Sequence, residues 1–489
     1  MTMSQNTPPT SPSSSPTERR PFLVFLTSHW ISQVGVVLIL TALCTWAFLL
    51  PLQMSGSADN PYLGLLAFLF VPLVLFAGLA LVPLGAWIAR RRVQRQLATV
   101  VDKKTAWTRF ALTFGAATVV NLTVGSQVTY RAVHHMETPQ FCGSCHVMTP
   151  EARSHADSPH SQVTCAECHV GDGASGWVAS KINGSRQFFE NLSDSFHRPI
   201  PSALATDRLV PAKQTCEECH RRSKPGDVRV RVIDSFGEDE ANSLSQTVLT
   251  MHVGGDVLGG IHGRHLNPDL DIRFASTDPA RQDIVWVESH NSRTGETKTW
   301  TKSGTTPDQY KDLKKISMQC VDCHNRPAHP FQLPGRALDS AFASGKLPTT
   351  LPSLKKIALG LLKTDYTSHE DASTRIPAAL LETYRRDHPD VFAARQPEIT
   401  AAGQVLADLH NRNVFPDLKV TWGTYPDNIG HTDFPGCFRC HGGDHTTTEG
   451  KPISNNCYVC HFSAAVDETA PEVLQTLGIE KVLEKARKK

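Results

Sequence analysis

Cys142-Gly-Ser-Cys145-His146 begins a series of six Cys-x-x-Cys-His motifs in this chain of 489 residues. The other five are Cys165-Ala-Glu-Cys168-His169, Cys216-Glu-Glu-Cys219-His220, Cys320-Val-Asp-Cys323-His324, Cys437-Phe-Arg-Cys440-His441 and Cys457-Tyr-Val-Cys460-His461. Twelve of the 13 cysteines belong to these motifs, so only Cys44 lies outside them. No cysteines therefore remain for a framework of structural disulfides.

The motifs indicate covalent haem attachment. Two thiols three residues apart can add to the vinyl groups of one haem, and the adjacent histidine then lies under the iron as an axial ligand. Paired Cys-x-x-Cys knuckles that bind zinc are the alternative. Histidine accounts for only 22 residues, so its presence after every pair is not expected by chance. We therefore expect a multihaem c-type cytochrome with six covalently bound haem c groups.

The second axial ligand of each iron must come from elsewhere in the chain. Six of the 22 histidines belong to the motifs, which leaves 16. A second imidazole makes a haem suited to electron transfer, whereas an open position admits a substrate. The candidates for the distal position, four near motifs and three in a cluster far from any motif, are His160, His329, His431, His445, His252, His262 and His265. Met148, two residues after His146, could bind the first iron through its thioether or simply pack against the porphyrin.

Three apolar segments precede the first motif, at residues 30–50, 62–88 and 110–130. Each has the roughly 20-residue length that crosses a bilayer. Buried core helices, or a cleaved signal peptide for the first segment, are the alternatives. Three such segments in succession favour transmembrane helices.

Basic residues around these segments predict their orientation. Arg19 and Arg20 precede the first span, and the connection between the second and third is rich in arginine and lysine, whereas residues 53–60 have neither. The positive-inside rule places the N-terminus in the cytoplasm and the chain after residue 130 in the periplasm. Covalent haem attachment on the far side of the bacterial cytoplasmic membrane agrees with this topology. The predicted location is therefore the bacterial inner membrane.

The predicted fold class is a multihaem cytochrome c with little regular secondary structure, mainly α with a small β segment, and three N-terminal transmembrane helices. Alternating valines and arginines from Val228 predict strands, and Ser292–Gly295 a turn between strands. The net charge of +2 gives no indication of nucleic-acid binding. The predicted segments are a disordered cytoplasmic tail (1–20), a two-span transmembrane hairpin (21–105), the third helix with a three-haem region (106–225), a β-containing segment with the fourth haem (226–335), a helical segment (336–415) and a C-terminal two-haem region (416–489).

Several stretches resemble the NapC/NirT/NrfH family of membrane-anchored quinol dehydrogenases. They are residues 136–148 (METPQFCGSCHVM), 158–169 (SPHSQVTCAECH) and 181–187 (KINGSRQ). Residues 261–265 (IHGRH), 320–329 (CVDCHNRPAH) and 430–441 (GHTDFPGCFRCH) are similar to the extended, ImcH-like subgroup of that family.

The resemblance implies that electrons pass from membrane quinol, through a chain of haems, to periplasmic cytochromes or reductases. It implies that Met148 binds the iron of the first haem and that Lys181 lies beside the quinol. The acidic residue that the family carries farther along the same helix corresponds to Gln187 here.

Two other functions compete with quinol oxidation. A terminal reductase of a small oxyanion or metal would need one haem with an open position in a basic pocket. A passive relay subunit would use its membrane part only to dock a partner. The first motif lies about a dozen residues beyond the last span, which favours a quinol dehydrogenase because the first haem must then lie near the quinol headgroups of the lipid bilayer.

Overall fold

The computed structural model describes residues 29–54, 70–95, 102–170, 173–206, 209–220, 228–254 and 259–479. Several predicted features lie outside these residues, namely the tail at 1–20, the loop at 55–60, residues 62–69 of the second span, residues 96–101 of the basic connection and the last ten residues. The chain divides into two compact units, Met1–Met136 and Glu137–Lys489. The finer division into six segments stays a prediction.

The first unit contains three long helices, α1 (Trp30–Met54), α2 (Val71–Gln94) and α3 (Lys103–Met136). Segments of all three are long and apolar enough to cross a membrane: Trp30–Ala47, Val71–Gln94 and Trp107–Val128. The last turn of α2 carries the basic residues Arg91 and Arg92, which follow its apolar segment. The prediction of three transmembrane helices is confirmed.

Small residues allow α1 and α2 to approach closely. A Cβ added at Gly35 would lie 2.9 Å from the carbonyl oxygen of Gly78, and a Cβ added at Gly78 would meet Gly35 in the same way. The Ser32 hydroxyl donates a hydrogen bond to the Val82 carbonyl at 3.0 Å. Close packing of small residues allows helices to associate within a bilayer, where the hydrophobic effect does not drive association.

The helices of the second unit are mostly short, except for α7 and the four helices between residues 334 and 413. They are α4 (Pro139–Cys142), α5 (Thr149–Ala156), α6 (Cys165–His169), α7 (Gly173–Leu192), α8 (Cys216–Cys219), α9 (Gly260–His265), α10 (Pro307–Tyr310), α11 (Cys320–Cys323), α12 (Pro334–Ala343), α13 (Leu354–Leu362), α14 (His369–Asp387), α15 (Pro389–Asn413), α16 (Phe438–His441) and α17 (Glu472–Thr476).

A conventional hydrophobic core is built by helices α12 to α15. Leu338, Ile376, Leu380 and Leu406 are completely buried in it. The fully buried Tyr384 adds a hydrogen bond from its hydroxyl to the Pro352 carbonyl at 2.8 Å. This four-helix region carries none of the six motifs, so it packs without porphyrin.

Two antiparallel sheets lie in the second unit. Their strands are β1 (Val228–Phe236), β2 (Leu244–His252), β3 (Leu270–Ser276), β4 (Ile284–Asn291), β5 (Thr297–Lys302), β6 (Ile316–Ser317), β7 (His445–Thr446) and β8 (His461–Glu468). The strand orders are β1-β2-β8 and β6-β3-β4-β5-β7. A small β content in a mainly helical chain is confirmed, although β7 and β8 come from the C-terminal region, where no strand was predicted. β7 has only two residues, which is too short for a sequence signal.

We expect Leu406→Ala to destabilise the helical core by about 2–5 kcal/mol, because it leaves a cavity among completely buried side chains. Hydrogen exchange of the α14 and α15 amides measures this loss as reduced protection. Gln404→Ala, at an exposed position of the same helix, is the matched control and should change protection little. Equal protection in the two variants would contradict this account of the core.

Candidate haem sites

One helical turn brings the two cysteines of a motif to the same side of the chain. Helices α6, α8 and α11 each begin at the first cysteine of a motif. Residues three apart on a helix are neighbours, so both thiols face one ligand. A capping box fixes the start of α11, where the backbone N–H of Gln319 donates a hydrogen bond to the Asp322 carboxylate at 2.7 Å.

Five motif histidines each face a second histidine from another part of the chain. The distances between ring centres are 6.2 Å for His169 and His329, 6.0 Å for His220 and His160, 6.1 Å for His324 and His262, 5.8 Å for His441 and His265, and 6.1 Å for His461 and His431. Two imidazoles that bind one metal ion from opposite sides, at a nitrogen–metal distance of roughly 2 Å, have ring centres about 6 Å apart. The spacing of all five pairs thus fits axial ligation of an iron.

Burial lowers the pKa of six of the paired histidines, which favours the neutral form that binds metal. They are His169, His262, His265, His324, His329 and His461. The charge of a facing histidine lowers the pKa further in His169, His262 and His461.

Two of the seven candidate distal histidines do not face a motif histidine. The His445 side chain is completely buried, with Nε2 2.9 Å from the Ile284 carbonyl oxygen and Nδ1 2.9 Å from Asp444 Oδ1. His252 donates its backbone N–H to the Cys460 carbonyl at 2.8 Å. The charge of its ring contributes to the lowered pKa of His461.

His155 is a histidine that sequence reasoning missed. It is buried, and its ring centre lies 6.0 Å from that of His329. His329 therefore has two imidazole neighbours, His155 and the motif histidine His169. The sequence feature that could have identified His155 as a candidate is its position five residues before His160.

The first motif differs from the other five. His146 Nε2 lies 3.1 Å from Asp417 Oδ2, and no second histidine ring faces His146 within the described residues. Met148 ends the short 3-10 helix that begins at His146 and is half-buried. Phe415 and Leu418, on either side of Asp417, pack with Val147, so residues 415–418 lie against the first motif.

Cysteines of successive motifs lie within the range of electrostatic interaction. Cys142 and Cys165 share a hydrogen bond, as do Cys216 and Cys320. Three further pairs are close enough for their charges to interact, namely Cys168 with Cys216, Cys323 with Cys437, and Cys437 with Cys460. These contacts connect the motifs in a single series from the first to the sixth.

Lys181 and Gln187, the predicted quinol-site residues, both lie on α7. Contact with Cys165, together with burial, raises the pKa of Cys142, and the nearby charge of Lys181 acts in the opposite direction. Lys181 is therefore close to the first motif. At roughly 100° per residue, Gln187 points about 120° away from Lys181 around the helix, so the two do not share a face.

The surroundings of the motifs fit haem better than zinc. A structural zinc site needs four protein ligands, and the described residues contain no group of three or more His, Cys, Asp or Glu side chains that could hold a metal ion. A haem iron needs only axial protein ligands because the porphyrin supplies the rest. A cavity of about 250 Å³, lined in part by Pro211, Arg281, Lys315 and Val321, lies beside the third and fourth motifs, and its basic groups suit anionic propionates.

Comparison with known proteins gives a family and two relatives. Residues 103–229 match the N-terminal region of the NapC/NirT cytochrome c family. The chain is 35% identical over 447 residues to the cytochrome c-type protein ImcH of Geobacter sulfurreducens, which covers 88% of this chain and 87% of that protein. It is 28% identical over 113 residues to NrfH, the cytochrome c nitrite reductase subunit of Nitratidesulfovibrio vulgaris, covering 23% of this chain and 69% of NrfH. No solved structure matches the chain.

We expect His265→Ala to convert one haem from low spin to high spin, because its iron would lose the imidazole facing His441. Electron paramagnetic resonance of the oxidised protein measures the change. The control is His290→Ala, since the exposed His290 ring bonds Thr297 Oγ1 at 2.8 Å and faces no motif. An unchanged low-spin signal in His265→Ala would show that His265 is not an iron ligand.

Proposed function

Because this chain belongs to the NapC/NirT cytochrome c family, in its ImcH-like subgroup, we propose that it oxidises membrane quinol and passes the electrons to periplasmic cytochromes or reductases. It is a membrane protein of electron transport with covalently bound haem c. Bound haem c supplies reversible one-electron chemistry at its iron. The proposal assigns one haem to each of the six motifs and the quinol site to the first.

The position of Lys181 beside Cys142 carries this proposal. Quinol oxidation releases protons as well as electrons, so its site needs a polar group at the quinol hydroxyl and next to an electron acceptor. Lys181 can hold the hydroxyl by a hydrogen bond. A neutral amine can also accept the proton, whereas the amide of Gln187 cannot. The competing interpretation is that the Lys181 side chain only contacts lipid phosphates.

The series of motif contacts supports transfer along the chain. Cysteines of each motif lie close enough to those of the following motif for their charges to interact. This proximity supports a path for electrons from the first motif to the sixth. The proposed order in which electrons pass the haems is therefore the order of their motifs in the sequence.

The five histidine pairs weigh against a terminal reductase. A substrate needs an open position on an iron, and the second, third, fourth, fifth and sixth motifs each have a facing histidine. Within the described residues, the first motif alone lacks a facing histidine, and Met148 is the candidate ligand there. A passive relay remains the alternative, and it requires no group beside the first motif that handles protons.

The proposed location is the bacterial inner membrane, with the N-terminus in the cytoplasm and the haem-bearing unit in the periplasm. The basic residues Arg91 and Arg92 at the end of α2 support this orientation under the positive-inside rule. Attachment of haem c outside the cytoplasm supports it independently.

We expect Lys181→Ala to slow quinol-driven haem reduction at least about tenfold, which corresponds to roughly 1.4 kcal/mol of barrier, because the quinol hydroxyl loses its polar partner. Stopped-flow absorbance of the reconstituted protein measures the rate. Reduction by dithionite and the haem content should not change, and Lys356→Ala, at an exposed lysine of α13, is the control. A normal rate with quinol would remove Lys181 from the site.

Replacing Cys320 and Cys323 together by alanine should remove one of six haems and interrupt transfer in the middle of the series. Pyridine haemochrome absorbance and intact mass measure the haem content. Quinol should then reduce the three N-terminal haems but not the C-terminal two, whereas dithionite reduces all five. Cys44→Ala, outside the motifs, should retain six. Full reduction by quinol in the double variant would refute a single path.

A further inference from the structure

Helix α7 carries an apolar stripe that the protein leaves exposed. Val178, Ile182, Phe189 and Leu192 are 48%, 66%, 56% and 73% exposed. At roughly 100° per residue, these four side chains fall within an arc of about 80° around the helix axis. A helix on the surface of a soluble domain turns such a stripe towards the core, so an outward stripe indicates an apolar partner.

The charges of α7 lie beside the stripe and not on it. Lys181 is about 60° from Val178 on one side, and Arg186 is about 80° away on the other. Arg186 also pairs with Glu190 at 2.7 Å, and Gln187 lies on the side opposite the stripe. Apolar residues in the centre with a basic side chain at each edge are typical of a helix that lies in a membrane interface. Long basic side chains at these edges can reach lipid phosphates.

The position of α7 in the chain identifies the bilayer as the apolar medium within reach. Lys181 is close enough to Cys142 for their charges to interact. Cys142 follows Met136, the last residue of α3, by six residues, and six extended residues span at most about 20 Å. Because α3 contains a membrane span, α7 belongs to the part of its unit that the covalent chain holds near the membrane surface.

We propose that α7 lies in the plane of the membrane interface, with its apolar stripe among the lipid acyl chains. The stripe would enter the boundary between headgroups and acyl chains by about 5–10 Å. Lys181, at the edge of the stripe, then lies at the depth of the lipid headgroups. The inference depends on the membrane anchor and not on quinol as the substrate, so a normal quinol rate in Lys181→Ala would leave it intact.

Cysteine accessibility tests the proposal in the full-length holoprotein. A Cys44→Ser background leaves an introduced cysteine as the free thiol, because the other twelve cysteines hold haem. Ile182→Cys and Phe189→Cys test the stripe, and Gln187→Cys tests the opposite side of the same helix. In vesicles of phosphatidylethanolamine and phosphatidylglycerol, each variant is labelled with a water-soluble sulfonated maleimide or with a maleimide tethered to a phospholipid, and intact mass gives the labelling rates.

We expect the sulfonated reagent to label positions 182 and 189 at least about tenfold more slowly than position 187, with the order reversed for the lipid-tethered reagent. Rapid labelling of position 182 or 189 by the sulfonated reagent would overturn the proposal, because the stripe would then face water. Slow labelling by both reagents would also overturn it, since a protein surface or a second copy of this chain would then cover the stripe. Haem content and absorbance of each variant verify folding.

Discussion

Facing histidines connect segments of the second unit that are distant in sequence, at the spacing that one iron between them requires. His329 follows the fourth motif by five residues yet faces His169 of the second motif, and His160 precedes the second motif yet faces His220 of the third. Each pair of this kind restricts two segments at once. The largest hydrophobic cluster lies in helices α12 to α15, and smaller clusters such as Phe274 with Ile284 and Val287 lie among the strands.

Polar contacts reinforce the same connections. Asp322, in the fourth motif, is buried and pairs with Arg281 at 2.5 Å. Its backbone carbonyl accepts a hydrogen bond at 2.6 Å from Arg439, a residue of the fifth motif. A buried ion pair contributes little net stability, but removal of one partner leaves an unpaired charge at a cost of about 3–5 kcal/mol. Such contacts therefore fix how neighbouring motifs are oriented more than how stably they fold.

The spans and the fold class could be predicted from the sequence because each depends on local spacing, and the covalent sites, which depend on local spacing too, stay a prediction. The distal pairing depends on tertiary contacts that no local rule gives. His431 and His445 lie at similar distances from the fifth motif, but β7 holds His445 against the Ile284 carbonyl while His431 faces His461. The contact of Asp417 with His146 joins residues 271 positions apart, which spacing within a motif cannot reveal. The same reason explains why His155 was missed.

The proposed direction of transfer rests on the contrast between the first motif and the other five. A relay site works best when both axial positions are filled by fixed ligands, since little then moves as an electron passes. An entry site must instead expose one edge to its donor. His146 bonds a carboxylate in place of facing a second imidazole, and the half-exposed Asp417 leaves the surroundings polar. Because Lys181 lies close to Cys142, the polar group proposed to contact the quinol and the departure from histidine pairing coincide at the first motif.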